Sequence, residues 1–177
     1  MPEDRRQDES PSIRPATVDD AAGIAAIYNP HVTGTIVSFE EAAIAPDEMA
    51  GRIATIGAHF PWLVLEDRGA VAGFAYGSPW KTRSGYRFTV ETTIYLAASH
   101  LGAGLGRRLY GRLLDELRDL GFHVAVGCIA LPNDASVGLH ERLGFARVAE
   151  FPAVGWKLGR WIDVGYWQLR LRSGTPV

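Results

Sequence analysis

Three alternating glycines, set between a strand-like segment and an amphipathic helix, constrain this chain more than any other feature. The run reads Leu101-Gly102-Ala103-Gly104-Leu105-Gly106-Arg107-Arg108. Behind it Leu105, Leu109, Leu113, Leu117 and Leu120 recur at helical spacing, with Gly121 where a C-terminal cap belongs. Glycines let backbone approach a ligand, and a helix start offers unpaired N–H groups carrying partial positive charge. A tight turn with purely geometric glycines is the plainer reading. The two arginines that follow tip the balance to an anion site, suited to phosphate or pyrophosphate. A P-loop would end in Gly-Lys-Ser/Thr. A dinucleotide fingerprint would need its third glycine where Arg107 or Leu109 stands. Nucleoside triphosphate hydrolysis and binding of NAD or FAD are therefore disfavoured.

The flanking segments fill in a fold. Ile13 and Arg14 begin a short strand, and Thr17 with Asp20 resembles a capping box for a helix carrying Ile24, Ile27 and Tyr28, which Pro30 and Gly34 end or bend. A second helix starts after Pro46, with Asp47 and Glu48 in its first turn, and ends near His59. Residues 62–66 and 71–76 read as a hairpin around Asp67-Arg68-Gly69, and residues 87–96 as the longest strand. After the leucine-rich helix come a strand at 123–130, a short helix at 135–143 capped by Gly144, and closing strands at 147–151 and 162–171. The order predicts a mixed α/β (α+β) fold without the strict alternation of a doubly wound one.

With 177 residues and a 47% apolar share, one domain over residues 12–172 is expected, with tails at 1–11 and 173–177. A net charge of −2 gives no overall field for a nucleic acid or an anionic membrane, and no apolar run approaches the roughly 20 residues of a membrane span. Neither partner is expected, and the location is read as cytoplasmic. A single cysteine, Cys128, allows no internal disulfide, and no Cys/His spacing suggests a metal. Cys128 sits in an apolar strand and is expected to be buried and inert.

Taken together, strand, glycine loop, long helix, strand, then Asn133 and a short helix ending Leu143-Gly144-Phe145 resemble the acetyl-CoA core of the GNAT acetyltransferase superfamily. Pro79-Trp80-Lys81, Val90-Glu91-Thr92-Thr93-Ile94-Tyr95, Leu131-Pro132-Asn133-Asp134 and Leu139-His140-Glu141 are similar, more narrowly, to its phosphinothricin and methionine sulfoximine N-acetyltransferase branch. The resemblance spans about residues 13–171. It implies a mixed, largely antiparallel central sheet flanked by helices, and acetyl-CoA as cosubstrate. By the same resemblance, the amides of Leu101, Gly102, Ala103, Gly104, Leu105, Gly106 and Arg107 hold the pyrophosphate. Ile94, Tyr95 and Leu96 pair with the pantetheine arm, and Asn133 contacts it. Leu101 stands where the superfamily usually places Gln or Arg, which removes one polar contact but no backbone donor.

An ammonium cannot attack a thioester until it loses a proton, so a general base is needed. The resemblance assigns that role to Glu91; without it a solvated strand glutamate is the more ordinary reading. His140 stands where many relatives place a general-acid tyrosine. Proton relay or substrate binding competes evenly there with a helix histidine satisfied by local hydrogen bonds. Phe39, Trp80, Lys81, Arg83, Tyr86, Val90 and Thr92 are expected around the acceptor, the cations suiting a carboxylate or phosphinate. The branch forms homodimers, and Trp156, Trp161, Tyr166 and Trp167 offer aromatic surface for an interface. Two rival readings stay open: an acetyltransferase for another amine or a protein N-terminus, and a CoA-binding module without catalysis.

Overall fold

The computed structural model describes residues 10–174, so of the tails expected at 1–11 and 173–177 residues 1–9 and 175–177 lie outside the described residues. Eleven main elements follow one another: β1 (Ser12–Pro15), α1 (Ala21–Gly34), α2 (Pro46–Gly57), β2 (Trp62–Asp67), β3 (Ala70–Pro79), β4 (Thr89–Leu96), α3 (Leu105–Asp119), β5 (Val124–Leu131), α4 (Asp134–Arg142), β6 (Ala146–Lys157) and β7 (Arg160–Arg170). They build one seven-stranded sheet in the order β1-β2-β3-β4-β5-β7-β6. Every neighbouring pair is antiparallel except β4 with β5. The mixed, largely antiparallel sheet flanked by helices is the expected one.

Each face of the sheet is covered by the helix stripe that the sequence periodicity supplies. On one face Leu109, Tyr110, Leu113, Leu114 and Leu117 of α3 pack on Leu63, Leu65, Ala75, Val90, Ala125 and Ile129. On the other, Ile24 and Ile27 of α1 with Met49 and Ile53 of α2 cover Trp62, Val64 and Phe74. The Thr17 box forms: Asp20 accepts from Thr17 N at 2.8 Å, while the Arg14 guanidinium forks onto the same carboxylate at 2.7 and 2.8 Å. Helix α1 runs through Pro30 to Gly34. Pro30 and Ala26 both face solvent, where the carbonyl that proline leaves unpaired can take water.

The closing hairpin departs most from expectation. Strand β6 does not stop at residue 151 but continues to Lys157, and β7 begins at Arg160. Its register shifts between Phe151 and Gly155, with Ala153 at φ 51 and its N–H donating 2.7 Å to Asp163 Oδ1. This is a β-bulge on an edge strand, where Pro152 leaves no ladder partner unpaired. The expected aromatic surface divides by position along the hairpin, the turn end being exposed and the far end of β7 lying in the core. Trp156 and Trp161 are exposed and pack edge to face, whereas Trp167 is core and donates from Nε1 to Glu141. Val148, Phe151, Val154 and Leu158 are exposed with Trp156 and Trp161.

Candidate active site

Strands β4 and β5 stay together for three residue pairs only, Thr89↔Val124, Val90↔Ala125 and Glu91↔Val126. Beyond Glu91 they diverge, and among the described residues the backbone of Thr92–Leu96 on the β5 side has no strand partner. The cleft that opens is lined by Glu91, Thr92, Thr93, Ile94 and Tyr95 from β4, by Cys128, Ile129 and Ala130 from β5, by Asn133, Ser136 and His140, and by Val37 from the segment after α1. A strand edge without a neighbour pairs readily with an extended ligand.

Glu91 stands where the strands part. Burial raises its carboxyl above the ordinary value of 4.5, with the Lys81 charge opposing. Among the described residues no protein donor hydrogen-bonds this carboxylate, so its lone pairs are available to a ligand. Alternation along β4 puts Glu91, Thr93 and Tyr95 on the α1/α2 face and Val90 and Thr92 on the α3 face. Val90 is accordingly fully buried, and the Thr92 hydroxyl sits 2.6 Å from Tyr110 Oη and 3.2 Å from Val126 O. Contrary to expectation, Val90 therefore does not reach the cleft, whereas Thr92 lies in its lining with the hydroxyl turned to Tyr110. Thr93 lies beside Glu91 and Tyr76, a position the strand period alone would have indicated.

His140 reaches the cleft wall from α4, but its ring is only 4% exposed. Nδ1 lies 2.8 Å from Ser136 O and Nε2 lies 3.0 Å from Tyr110 Oη. One proton arrangement serves both ring nitrogens. His140 Nδ1–H donates to the Ser136 carbonyl and Tyr110 donates to Nε2, while the single Thr92 proton goes either to Tyr110 Oη or to Val126 O. Burial lowers the imidazole's pKa from 6.5, consistent with the neutral ring this pattern requires. Of the two readings open for His140, the contacts match the locally satisfied histidine. The linkage to stability has a definite sign. Below 6.5 the unfolded chain takes up a proton that folded His140 refuses, so stability is complete above that value and is lost as pH falls. His31, also depressed by burial, acts in the same direction. The melting temperature should therefore fall between about pH 7 and 5, and His140→Gln should make the fall shallower. A slope unchanged by that substitution would contradict the neutral assignment.

The glycine loop has the form an anion site needs. A short turn at Ala98–His100 leads into it, anchored by His100 Nε2 at 2.9 Å from Asp67 Oδ2. Gly102 and Gly104 adopt φ 78 and 76, and space around both Cβ positions is open. Helix α3 begins at Leu105 with no side-chain cap, and the first helical bond comes from Arg108 N to Gly104 O at 3.2 Å. The N–H groups of Leu105, Gly106 and Arg107 are thus unpaired at a positive helix end. At Gly106 a Cβ would stand 3.1 Å from Leu96 Cδ1, so that glycine seats the helix start against β4. Asn133 Oδ1 caps α4 by accepting from Ser136 N at 3.1 Å, which commits the oxygen and leaves the amide nitrogen to the cleft. Open approach, free amides and an unpaired strand edge fit a cosubstrate that carries a pyrophosphate on an extended arm. Gly104→Val would both crowd the approach and cost about 1–2 kcal/mol in a left-handed conformation. Calorimetric affinity for CoA should drop at least tenfold, about 1.4 kcal/mol, and an unchanged value in the folded variant would remove the loop from the site.

On the acceptor side Trp80 and Tyr86 meet edge to face at 5.1 Å, and Lys81 Nζ lies 5.2 Å over the Trp80 ring. Arg83 and Tyr86 are exposed on the same loop. Phe39 lies instead on the far side, against Gly155 of β6. Cys128 is exposed on the cleft face of β5, not buried as expected. It lies by the Tyr166 hydroxyl, and partial desolvation raises its thiol pKa. A thiol held protonated is a poor acyl-accepting nucleophile. Among the described residues no cluster is arranged to hold a metal, and no helix is long and apolar enough to cross a membrane.

Comparison with known proteins points the same way as this geometry. The phosphinothricin N-acetyltransferase of Streptomyces viridochromogenes is 42% identical, over 93% of this chain and 90% of that protein. The L-methionine sulfoximine/L-methionine sulfone acetyltransferase of Salmonella typhimurium is 41% identical, over 90% and 94%. The GNAT superfamily phosphinothricin acetyltransferase of Sinorhizobium meliloti, solved in complex with acetyl-CoA, superposes with a TM-score of 0.90 at 35% identity, covering 94% of this chain and 93% of that one. The pattern that defines the acetyltransferase (GNAT) family matches residues 24–145, the stretch from α1 to the end of α4 that builds both walls of the cleft. With parted strands, an uncapped glycine loop and that match all falling on the same residues, the chain belongs to the GNAT acetyltransferase family.

Proposed function

We propose that this protein is an acetyl-CoA-dependent N-acetyltransferase whose acceptor is the primary amine of a small amino-acid analogue of the phosphinothricin or methionine sulfoximine and sulfone kind. The acetyl group passes directly to the amine with both substrates bound. The observation that carries the reading is the Glu91 carboxylate, raised in pKa and free of protein donors, at the point where the strands part. The phosphinothricin and methionine sulfoximine/sulfone acetyltransferase relatives, aligned over about nine-tenths of both chains, support the choice of acceptor.

Acetyl-CoA supplies an activated acetyl thioester. The residues of this chain do the rest. Amides of Leu101–Arg107 hold the pyrophosphate, the free edge at Ile94, Tyr95 and Leu96 pairs with the arm, and Asn133 contacts it from the N-cap of α4. Glu91 takes the proton from the ammonium, directly or through a water, and a raised pKa suits a base for an amine. An N–H near Ile94 or Tyr95 faces the oxygen on which negative charge develops. Lys81, Arg83 and Tyr86, with Trp80, receive the acidic end of the acceptor, and Phe39 closes the opposite side. His140 keeps its place in the site by holding Tyr110 and, through it, Thr92 of β4. The raised Cys128 thiol supports direct transfer over an acetyl-cysteine step.

We also propose a homodimer, carried by the exposed apolar side chains of β6 and the β6–β7 turn. Sedimentation at micromolar concentration should show the dimer, and a monomer there would remove it. A cytoplasmic location belongs to the same proposal. The reading as a whole is tested by acetylation assays on the purified protein with phosphinothricin, methionine sulfoximine, methionine sulfone and a peptide N-terminus. Turnover of the amino-acid analogues and not of the peptide is expected. Turnover of the peptide alone, or of none, would overturn it.

A further inference from the structure

The segment between α1 and α2, residues 35–45, has no regular structure and yet is tied at both ends. On the α1/α2 side Asn29 clamps Ile44, donating 3.0 Å to its carbonyl and accepting 2.8 Å from its N–H. Arg52 forks onto Glu40 at 2.7 and 3.0 Å, and Tyr28 Oη, pushed up to about 12 by burial, bonds Ser38 Oγ and Glu40. The segment then crosses to the other half of the sheet, where Ile36 packs with Ala130 and Ile162, and Phe39 lies on Gly155. Between these ties Val37 forms part of the cleft wall that includes Glu91. Since β4 and β5 have already parted at this level, the segment spans the gap between the two halves.

One polar side chain holds the far end. Lys157, the last residue of β6, is 3% exposed, which is rare for a lysine. Its Nζ donates to the backbone carbonyls of Ser38 and, at 3.4 Å, His31. A buried ammonium is retained only where donors find acceptors, and both acceptors here belong to the end of α1 and the spanning segment.

We propose that Lys157 is a positioning residue for the acceptor: its buried ammonium fastens residues 35–45 to the β6–β7 hairpin and so sets the position of the cleft wall facing Glu91. The assignment rests on the acetyltransferase reading above, and it concerns a residue that touches neither substrate. Lys157→Met keeps the stem and removes all three donors, taking from the buried Ser38 carbonyl its ammonium partner while His31 O keeps the Thr35 hydroxyl. With methionine sulfoximine as acceptor, the acceptor KM should rise about tenfold while the KM for acetyl-CoA stays within about twofold, the size expected when one buried interaction is lost. Hydrogen exchange should quicken in residues 35–45 and remain slow in α3. A purely structural defect would instead raise both KM values and loosen α3 as well.

Gly155→Ala is the second variant, useful if Lys157→Met does not fold. Its new methyl would overlap the Phe39 ring and displace the same segment with the ammonium intact. The same split between the two KM values is expected. Equal effects on both substrates, or unaltered exchange in residues 35–45 in both variants, would overturn the assignment. Should the unmodified protein turn over none of the amines, the acetyltransferase reading fails, while the exchange measurement still decides the role of Lys157.

Discussion

Glu91→Gln should lower turnover by two to four orders of magnitude, about 3–5 kcal/mol of transition-state stabilisation, the usual contribution of a general base. Glutamine keeps the size and one hydrogen-bonding oxygen but cannot take a proton from an ammonium. Affinity for acetyl-CoA should change little, because the amides and strand edge that hold it lie beyond Glu91. The pH profile gives a second readout. Burial raises the Glu91 carboxyl, so kcat/KM of the unmodified enzyme should fall on the acid side along a limb lying above the ordinary 4.5. That limb should vanish in the variant. If Glu91→Gln keeps near-normal turnover where chemistry limits the rate, Glu91 is structural and another group is the base.

Gly127→Ala should be among the most destabilising single-methyl changes in the molecule. Gly127 lies on β5 directly against His140, and a Cβ would overlap the imidazole, standing 2.6 Å from its Cδ2. The ring cannot retreat. Tyr110 and Phe145 meet it edge to face at 5.1 and 5.0 Å, and both its nitrogens are engaged. Overpacking of this kind costs about 1–3 kcal/mol, and breaking the Thr92–Tyr110–His140 chain adds to it. Removing the obstacle should undo part of the damage, so Gly127→Ala with His140→Ala should be less destabilised than the sum of the single changes by about 1–3 kcal/mol. Denaturant unfolding of the four proteins measures this. Additive losses would show that the ring yields freely and that Gly127 is not there for His140.

Much of the architecture was legible before any coordinates. The leucines of α3 repeat over four turns, and the hairpin around Asp67-Arg68-Gly69 has the turn chemistry its φ values of 50 and 77 at Arg68 and Gly69 require. What escaped was mostly a matter of faces and edges. Strand alternation turns Val90 into the core under α3, which the likeness of the Val90–Tyr95 motif as a whole does not show. Strand β6 runs past residue 151 through Pro152 and Gly155, residues that an edge strand with a bulge tolerates. Cys128 looked buried among apolar neighbours because the sequence does not say where β4 leaves β5, and that parting exposes it. The loop amides are legible as an anion site from the glycines and the helix start, whereas the base role of Glu91 comes from resemblance, which local propensity does not supply. Lys157 had no signal at all, since a lone lysine at a strand end normally reaches into solvent.

The three-pair contact between β4 and β5 also bears on how the molecule breathes. A sheet joined so briefly at its middle is two leaves sharing a short seam, and the seam is the cheapest place for sub-global opening to begin. Helix α3, packed across strands of both leaves, is the chief restraint on that opening. A ligand lying along the free edge of β4 would act as a splice between the leaves, suppressing fluctuations in strands it never touches. Slow exchange in the outermost strands, β1 on one side and β6 on the other, would then report occupancy of a cleft that lies several strands away from either.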